Sequence, residues 1–321
     1  MAEYKGIKGF NIQTVSSDPP APFTGEVWYN STSATVKYLG IQAAAWASGG
    51  NLGTARYKLA GAGTQTAGLA FGGSTPFSNA TEEYNGSAWT GGGNLTTARS
   101  GLAGNGTQTA GLAFGGVSGP GAPGFSTATE EYGGSSWTNG GNMGTARNDL
   151  AGCGTQTAGL AFGGFLAPPV PTSQTNLTEE YNGTAWTNGG NLSAVKEQLA
   201  GAGTQTAGLA FGGNPGPSTE TEEYNGTAWT NGGNLGTGRY KLAGAGTQTA
   251  ALAFGGGPTP NATEQYNGTA WTATANMATG RVFLAGAGTQ TAGLAFGGDP
   301  STAVTEEFNG ETPVTKTVGT D

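Results

Sequence analysis

Read for its apolar and polar positions, the segment from Arg56 to Thr90 breaks into four short stretches, each bounded by turn residues. Tyr57-Lys58-Leu59-Ala60-Gly61-Ala62-Gly63 predicts a first strand rich in small residues, and Ala67-Gly68-Leu69-Ala70-Phe71 a second that ends at Gly72-Gly73. Thr81-Glu82-Glu83-Tyr84 predicts a third strand and Ser87-Ala88-Trp89-Thr90 a fourth. Between these two, Asn85-Gly86 is a hairpin signal, expected as a type I′ turn with positive φ at both residues.

The same pattern occurs six times. Its anchor, Gly-Thr-Gln-Thr-Ala, carries its first Thr at 64, 107, 155, 204, 247 and 289, and a Trp stands 18 residues before each. Successive anchors lie 42–49 residues apart, and every insertion falls between a Gly-Gly pair and the following Thr-Glu. Four short strands per repeat of that length predict an all-β chain built as a six-bladed propeller rather than a solenoid or open array. The two ends of the array are complementary. Trp46 has no Tyr-Asn-Gly before it, and Thr305-Glu306-Glu307-Phe308-Asn309-Gly310 has no Trp after it. A ring closes if residues near 42–48 supply the missing fourth strand, which also hides both sheet edges. The expected organisation is an N-terminal arm over 1–41, a six-bladed β-propeller over 42–310 closed by that N-terminal strand, and a C-terminal tail over 311–321.

Arg56, Gly72-Gly73, Glu82-Glu83-Tyr84 and Trp89 stand in an order and spacing that resemble the kelch motif, and the set recurs in the other copies. The resemblance implies a kelch-like propeller. In the arm, Gly25 to Leu39 alternates and turns near Asn30–Ser33, predicting a small β-hairpin that must dock on something, since a lone hairpin is marginal in water. Its phrase Gly25-Glu26-Val27-Trp28-Tyr29-Asn30-Ser31-Thr32 resembles short N-terminal elements of bacteriophage virion proteins. The repeat phrases Gly50-Asn51-Leu52-Gly53-Thr54-Ala55-Arg56 and Ala67-Gly68-Leu69-Ala70-Phe71-Gly72-Gly73 resemble those of kelch-like proteins of marine phages, cyanophages especially. This second resemblance implies a virion protein assembled in a host cytoplasm and joined to other virion proteins through the arm.

Charge and composition narrow the function further. A net charge of −8 offers no basic stripe to displace counterions from nucleic acid. No positively charged start with an apolar core and no long apolar run points to a signal peptide or a membrane span. The single Cys153, in a slot held by Ala or Asn elsewhere, reads as a small tolerated substitution. With no His in the chain, the commonest general base and metal ligand is missing, so no enzyme, metal or cofactor is expected. Asp149, Glu197 and Glu220 depart from their repeat slots and read as scattered solvated charges.

Arg56, Arg99, Arg147, Lys196, Arg239 and Arg281 fill one repeat position, and acidic pairs such as Glu82-Glu83 fill another. Adjacent strand residues point to opposite faces, so one Glu of each pair can meet the cation in a structural ring of ion pairs. A carboxylate ring for cations is the lesser reading, because one ligand does not need six equal copies.

Loops after Gly-Gly have 7, 12, 13, 7, 6 and 6 residues, and the long ones, 117–128 and 165–177, are neighbours. They are Pro-rich, and Val117, Phe125, Phe165, Leu166 and Val170 are expected to form a binding patch on the loop face. The alternative is that Phe125 and Phe165 fold back over a blade edge. The leading expectation is a non-enzymatic virion structural protein of a tail, fibre or capsid, with its loop face turned to a host-surface glycan or protein. Competing expectations are a kelch-type protein-interaction scaffold and, third, a glycan-acting enzyme. The oligomeric state is left open.

Overall fold

The computed structural model describes residues 12–74, 77–119, 124–167 and 174–318. They form two compact units, one from Ala45 to Asn309 and one that joins the N-terminal residues up to Ala44 with those from Gly310 onward.

Among the described residues of the larger unit are six four-stranded antiparallel sheets. The first contains Ala60–Gly63, Gly68–Phe71, Thr81–Tyr84 and Trp89–Gly91 in chain order. The last sheet takes three strands, Ala285–Gly288, Ala292–Phe296 and Thr305–Asn309, from one end of the unit and its fourth, Ala45–Ser48, from the other. Trp46 stands opposite Phe308, the pairing expected from the cut ends of the repeat. Each first strand packs against the first strand of the next sheet, and Ala285–Gly288 packs against Ala60–Gly63, so the series returns on itself. The result is a propeller-like arrangement of sheets.

Small residues are dictated by this packing. A Cβ on Gly61 would lie 2.6 Å from the Phe296 ring, and one on Gly104 2.3 Å from Phe71, so the aromatic of one sheet presses on the bare backbone of the next. Leu69, Phe71 and Tyr84 are fully buried. Trp89 wedges between Tyr84 and Phe296, with ring centroids 4.9 Å from each. Polar groups then tie neighbouring sheets with repeating bonds. Trp137 Nε1 donates to Thr81 Oγ1 at 2.9 Å, and Gln108 Nε2 donates to the carbonyls of Gly68 and Tyr84. The same bonds join the first and last sheets, through Trp89 to Thr305 and Gln65 to Gly293 and Phe308.

At Asn85-Gly86 the hairpin differs from expectation. Positive φ occurs only at Gly86 (+89°), inside a four-residue loop closed by Asn85 N–H to Ala88 O. The Asn85 side chain instead accepts from the N–H groups of Ser87 and Ala88, an Asx turn that needs no left-handed Asn.

The smaller unit is one mixed sheet. Gln13–Val15 runs parallel to Val27–Asn30, which pairs antiparallel with Thr35–Gln42 as the expected hairpin. Residues expected as a tail supply its fourth strand, Thr312–Thr317, with Gly40 opposite Val314. Two added strands relieve the weakness of an isolated hairpin. Asp18 locks the hairpin by accepting from Lys37 Nζ, Asn30 Nδ2 and Trp28 Nε1, and these bonds lower its pKa to about 2.

Candidate functional site: the loop face

Five of the six variable loops spring from an arginine clamp. Arg147 Nη1 donates to the carbonyls of Gly163 and Leu177, both at 2.8 Å, and Nη2 donates to Glu179 Oε1 at 2.9 Å. The first two acceptors are the residues that bracket the 13-residue loop 165–177. Arg239 grips Gly255 and Ala262 in the same way around a loop of six residues, so loop length changes while its neck does not. Both partners are buried, with Arg147 0% and Glu179 2% exposed. Burial pulls the guanidinium pKa down and the Glu179 charge opposes it. The Nε–H groups of Arg56, Arg99, Arg147 and Arg239 are buried without an acceptor, a penalty carried along with the clamp.

The second Glu of each pair serves the neighbouring sheet. Tyr132 Oη donates to Glu83 Oε1 at 2.5 Å and Tyr181 Oη to Glu131 Oε1 at 2.6 Å. Burial, then the adjacent carboxylate, pushes these phenols up to about 12, so they are neutral donors at physiological pH.

Lys196 departs from the clamp. Its single ammonium cannot fork, and it turns instead to Glu220, with Ser218 Oγ at 3.5 Å. Glu222 then keeps one bond, accepted by Oε2 from Ser193 N–H, while its Oε1 is buried without a partner. Restoring the guanidinium with Lys196→Arg is therefore expected to raise stability by about 1–3 kcal/mol, the cost of an unmet buried polar group. Urea denaturation checks it; an unchanged or lower midpoint would refute this account of Glu222.

The structure places Val117, Phe125, Phe165 and Leu166 half-buried at the roots of the two long loops, and Val170 lies outside the described residues. Val117 bridges to Phe125, Phe165–Leu166 pairs with Arg147–Asn148, and the Phe125 and Phe165 rings stack at 6.3 Å. The two loops thus lean on each other and on their own sheets.

A further feature of this face was not anticipated. Two residues after each clamp cation stand Lys58, Gly101, Asp149, Gln198, Lys241 and Phe283, different in nearly every copy. Their backbones form a closed cycle of six hydrogen bonds, each N–H donating to the carbonyl of the preceding copy at 2.8–2.9 Å, with Lys58 N–H returning to Phe283 O. All six have φ between +49° and +63°, although only Gly101 adopts that conformation without strain. Six leucines, Leu59, Leu102, Leu150, Leu199, Leu242 and Leu284, lie beneath, and the hollow they share with the cycle encloses about 80 Å³ under an open top.

Side chains in this mouth interact across it. Lys58 Nζ meets Asp149 at 2.8 and 3.0 Å, reaching past the second copy, where a Cβ on Gly101 would lie 2.8 Å from Asp149 Oδ1. Gln198 Nε2 approaches Asp149 Oδ2 at 3.4 Å. The ammoniums of Lys58 and Lys241 each sit 4.5 Å from the Phe283 ring centroid, and Lys241 lies 5.1 Å from that of Tyr240. Among the described residues no carboxylate pairs with Lys241. The mouth is joined to the loops, because the residue before each mouth position bridges to the first residue of a loop, as Asn148 does to Phe165 and Glu197 to Asn214.

Asp149 and Glu197 are consequently not scattered solvated charges, whereas Glu220 is exposed as expected. Asp149 anchors the mouth, and Glu197, 8% exposed, accepts from Gln174 and Asn214. Glu220 is the substitute partner of Lys196. Cys153 is buried and burial pushes its thiol up to about 12, consistent with a packing role. Among the described residues no group of three or more His, Cys, Asp or Glu is arranged to hold a metal ion. Compared with known families and with curated proteins, the chain matches none.

Proposed function

We propose that residues 45–309 close into a six-bladed, kelch-like β-propeller, and that the protein is a non-enzymatic structural protein of a bacteriophage virion. Its N-terminal arm joins other virion proteins, and its loop face meets a host-surface glycan or protein. One observation carries the adhesive part of this reading: differences between the repeats concentrate on one face. The Thr-Gln-Thr turns keep their sequence in all six copies because their glutamines tie sheet to sheet. The mouth positions and loops vary because the clamps and the amide cycle hold the framework whatever side chains they carry. Recognition of one ligand by a repetitive ring requires such broken symmetry. The virion setting rests on the arm and repeat phrases.

Replacing loops 117–128 and 165–177 with the six-residue loop 257–262 tests the adhesive face. Host-cell binding is expected to fall while the melting temperature holds; undiminished binding would remove those loops from the reading. Immunodetection in purified particles tests the setting, and absence of the chain from them overturns it.

A further inference from the structure

We propose that the mouth ringed by Lys58, Asp149, Gln198, Lys241 and Phe283 binds a single sugar unit carrying one carboxylate, such as a uronic acid at a glycan end. This names a ligand for the adhesive face and rests on that reading for its biological role. The hollow encloses only about 80 Å³, well under the roughly 300–1,000 Å³ of a pocket that engulfs its ligand, so the sugar unit rests across the open mouth. Its leucine floor limits entry to one compact unit.

The charge of the ligand follows from which donors are free. All six mouth N–H groups are consumed in the amide cycle, so the backbone offers no nest for a phosphate or sulfate. Lys58 is neutralised by Asp149. Of the two mouth ammoniums, Lys241 has no carboxylate partner among the described residues and rests on ring faces, a weak arrangement that an anion can displace. One free ammonium suits one negative charge, and the absence of an arginine fork argues against a dianionic group. Around it stand the requirements of a pyranose: the Phe283 ring in the mouth and the Tyr240 ring beside Lys241 as apolar surface, and the Gln198 amide and Asp149 carboxylate as partners for hydroxyls.

Variants for the test come from the molecule itself. Gln198 and Gly101 already occupy equivalent left-handed positions, so Lys241→Gln and Phe283→Gly keep the backbone cycle. Isothermal titration of the full chain with glucuronic acid should show saturable binding, with glucose and acetate each weaker by roughly tenfold or more. Lys241→Gln and Phe283→Gly should each weaken glucuronic acid binding by roughly tenfold, with unchanged melting temperature. Thr66→Ala, at the far turn, should leave it as in the parent. No saturable binding of glucuronic acid, equal binding of glucose or acetate, or an unaffected Lys241→Gln variant would each overturn the proposal. If these fail while the loop exchange still abolishes host-cell binding, adhesion stands and the mouth is not its site.

Discussion

Arg147→Ala is expected to destabilise the larger unit by about 3–5 kcal/mol, the effect of removing one member of a buried, hydrogen-bonded charge pair. Glu179 Oε1 and the Gly163 carbonyl lose this donor at once, and the Leu177 carbonyl is left with the Gly163 N–H at 3.0 Å. Glu179 keeps only the Gly144 N–H, at 2.6 Å to Oε2. The pair as such need not be the source of stability, because exchanging both charges for apolar residues is often neutral. The penalty comes from the orphaned carboxylate, which predicts a further result. Glu179→Gln on the same background should recover part of the loss. Arg147→Lys should fall between, since Lys196 shows that an ammonium in this slot leaves the inner Glu half-paired. Denaturant midpoints test all three. A deficit that Glu179→Gln does not reduce would mean that the loop carbonyls, not Glu179, dominate.

What the sequence disclosed depended on where physical constraints repeat. Strand positions, sheet order and the Trp46–Phe308 pairing were legible because each is a periodic requirement, repeated whenever a Phe ring presses on a glycine. That one Glu of each pair meets the Arg was legible from strand alternation, but not which one, nor the grip on the loop necks, because backbone carbonyls leave no mark in a sequence. The mouth was missed for the opposite reason. Attention to loop length passed over two columns that change in almost every copy, Tyr57-Lys58, Ser100-Gly101, Asn148-Asp149, Glu197-Gln198, Tyr240-Lys241 and Val282-Phe283, each followed by an invariant Leu. A variable pair beside an invariant residue was the available signal. Asp149 departs from its repeat slot, but its partner Lys58 lies 91 residues away and only the folded chain brings them together.

Phe308→Tyr is expected to destabilise by roughly 1–3 kcal/mol on its own, although Tyr fills that slot in the five other copies. In those copies the hydroxyl needs two things from the preceding sheet: a carboxylate to accept its proton, and a glycine beside it. A Cβ on Gly49, Gly92, Gly140, Gly189 or Gly232 would lie 2.6–2.8 Å from the Tyr oxygen. The sheet that precedes Phe308 carries Gln265 in place of the second Glu and Thr274 in place of the glycine. Three exceptions to the repeat therefore answer one another. With the hydroxyl gone, the carboxylate has no donor to bind and the space can take a side chain; Gln265 bonds instead to Gln290 O at 3.3 Å. Thr274→Gly should relieve the crowding caused by Phe308→Tyr, and Gln265→Glu should supply its acceptor. The triple variant should then approach parental stability, with a coupling of about 1 kcal/mol or more that the separate changes do not contain. Urea midpoints of the single, double and triple variants measure that coupling. If the three effects simply add, the exceptions are independent drift at the seam and not one compensated change.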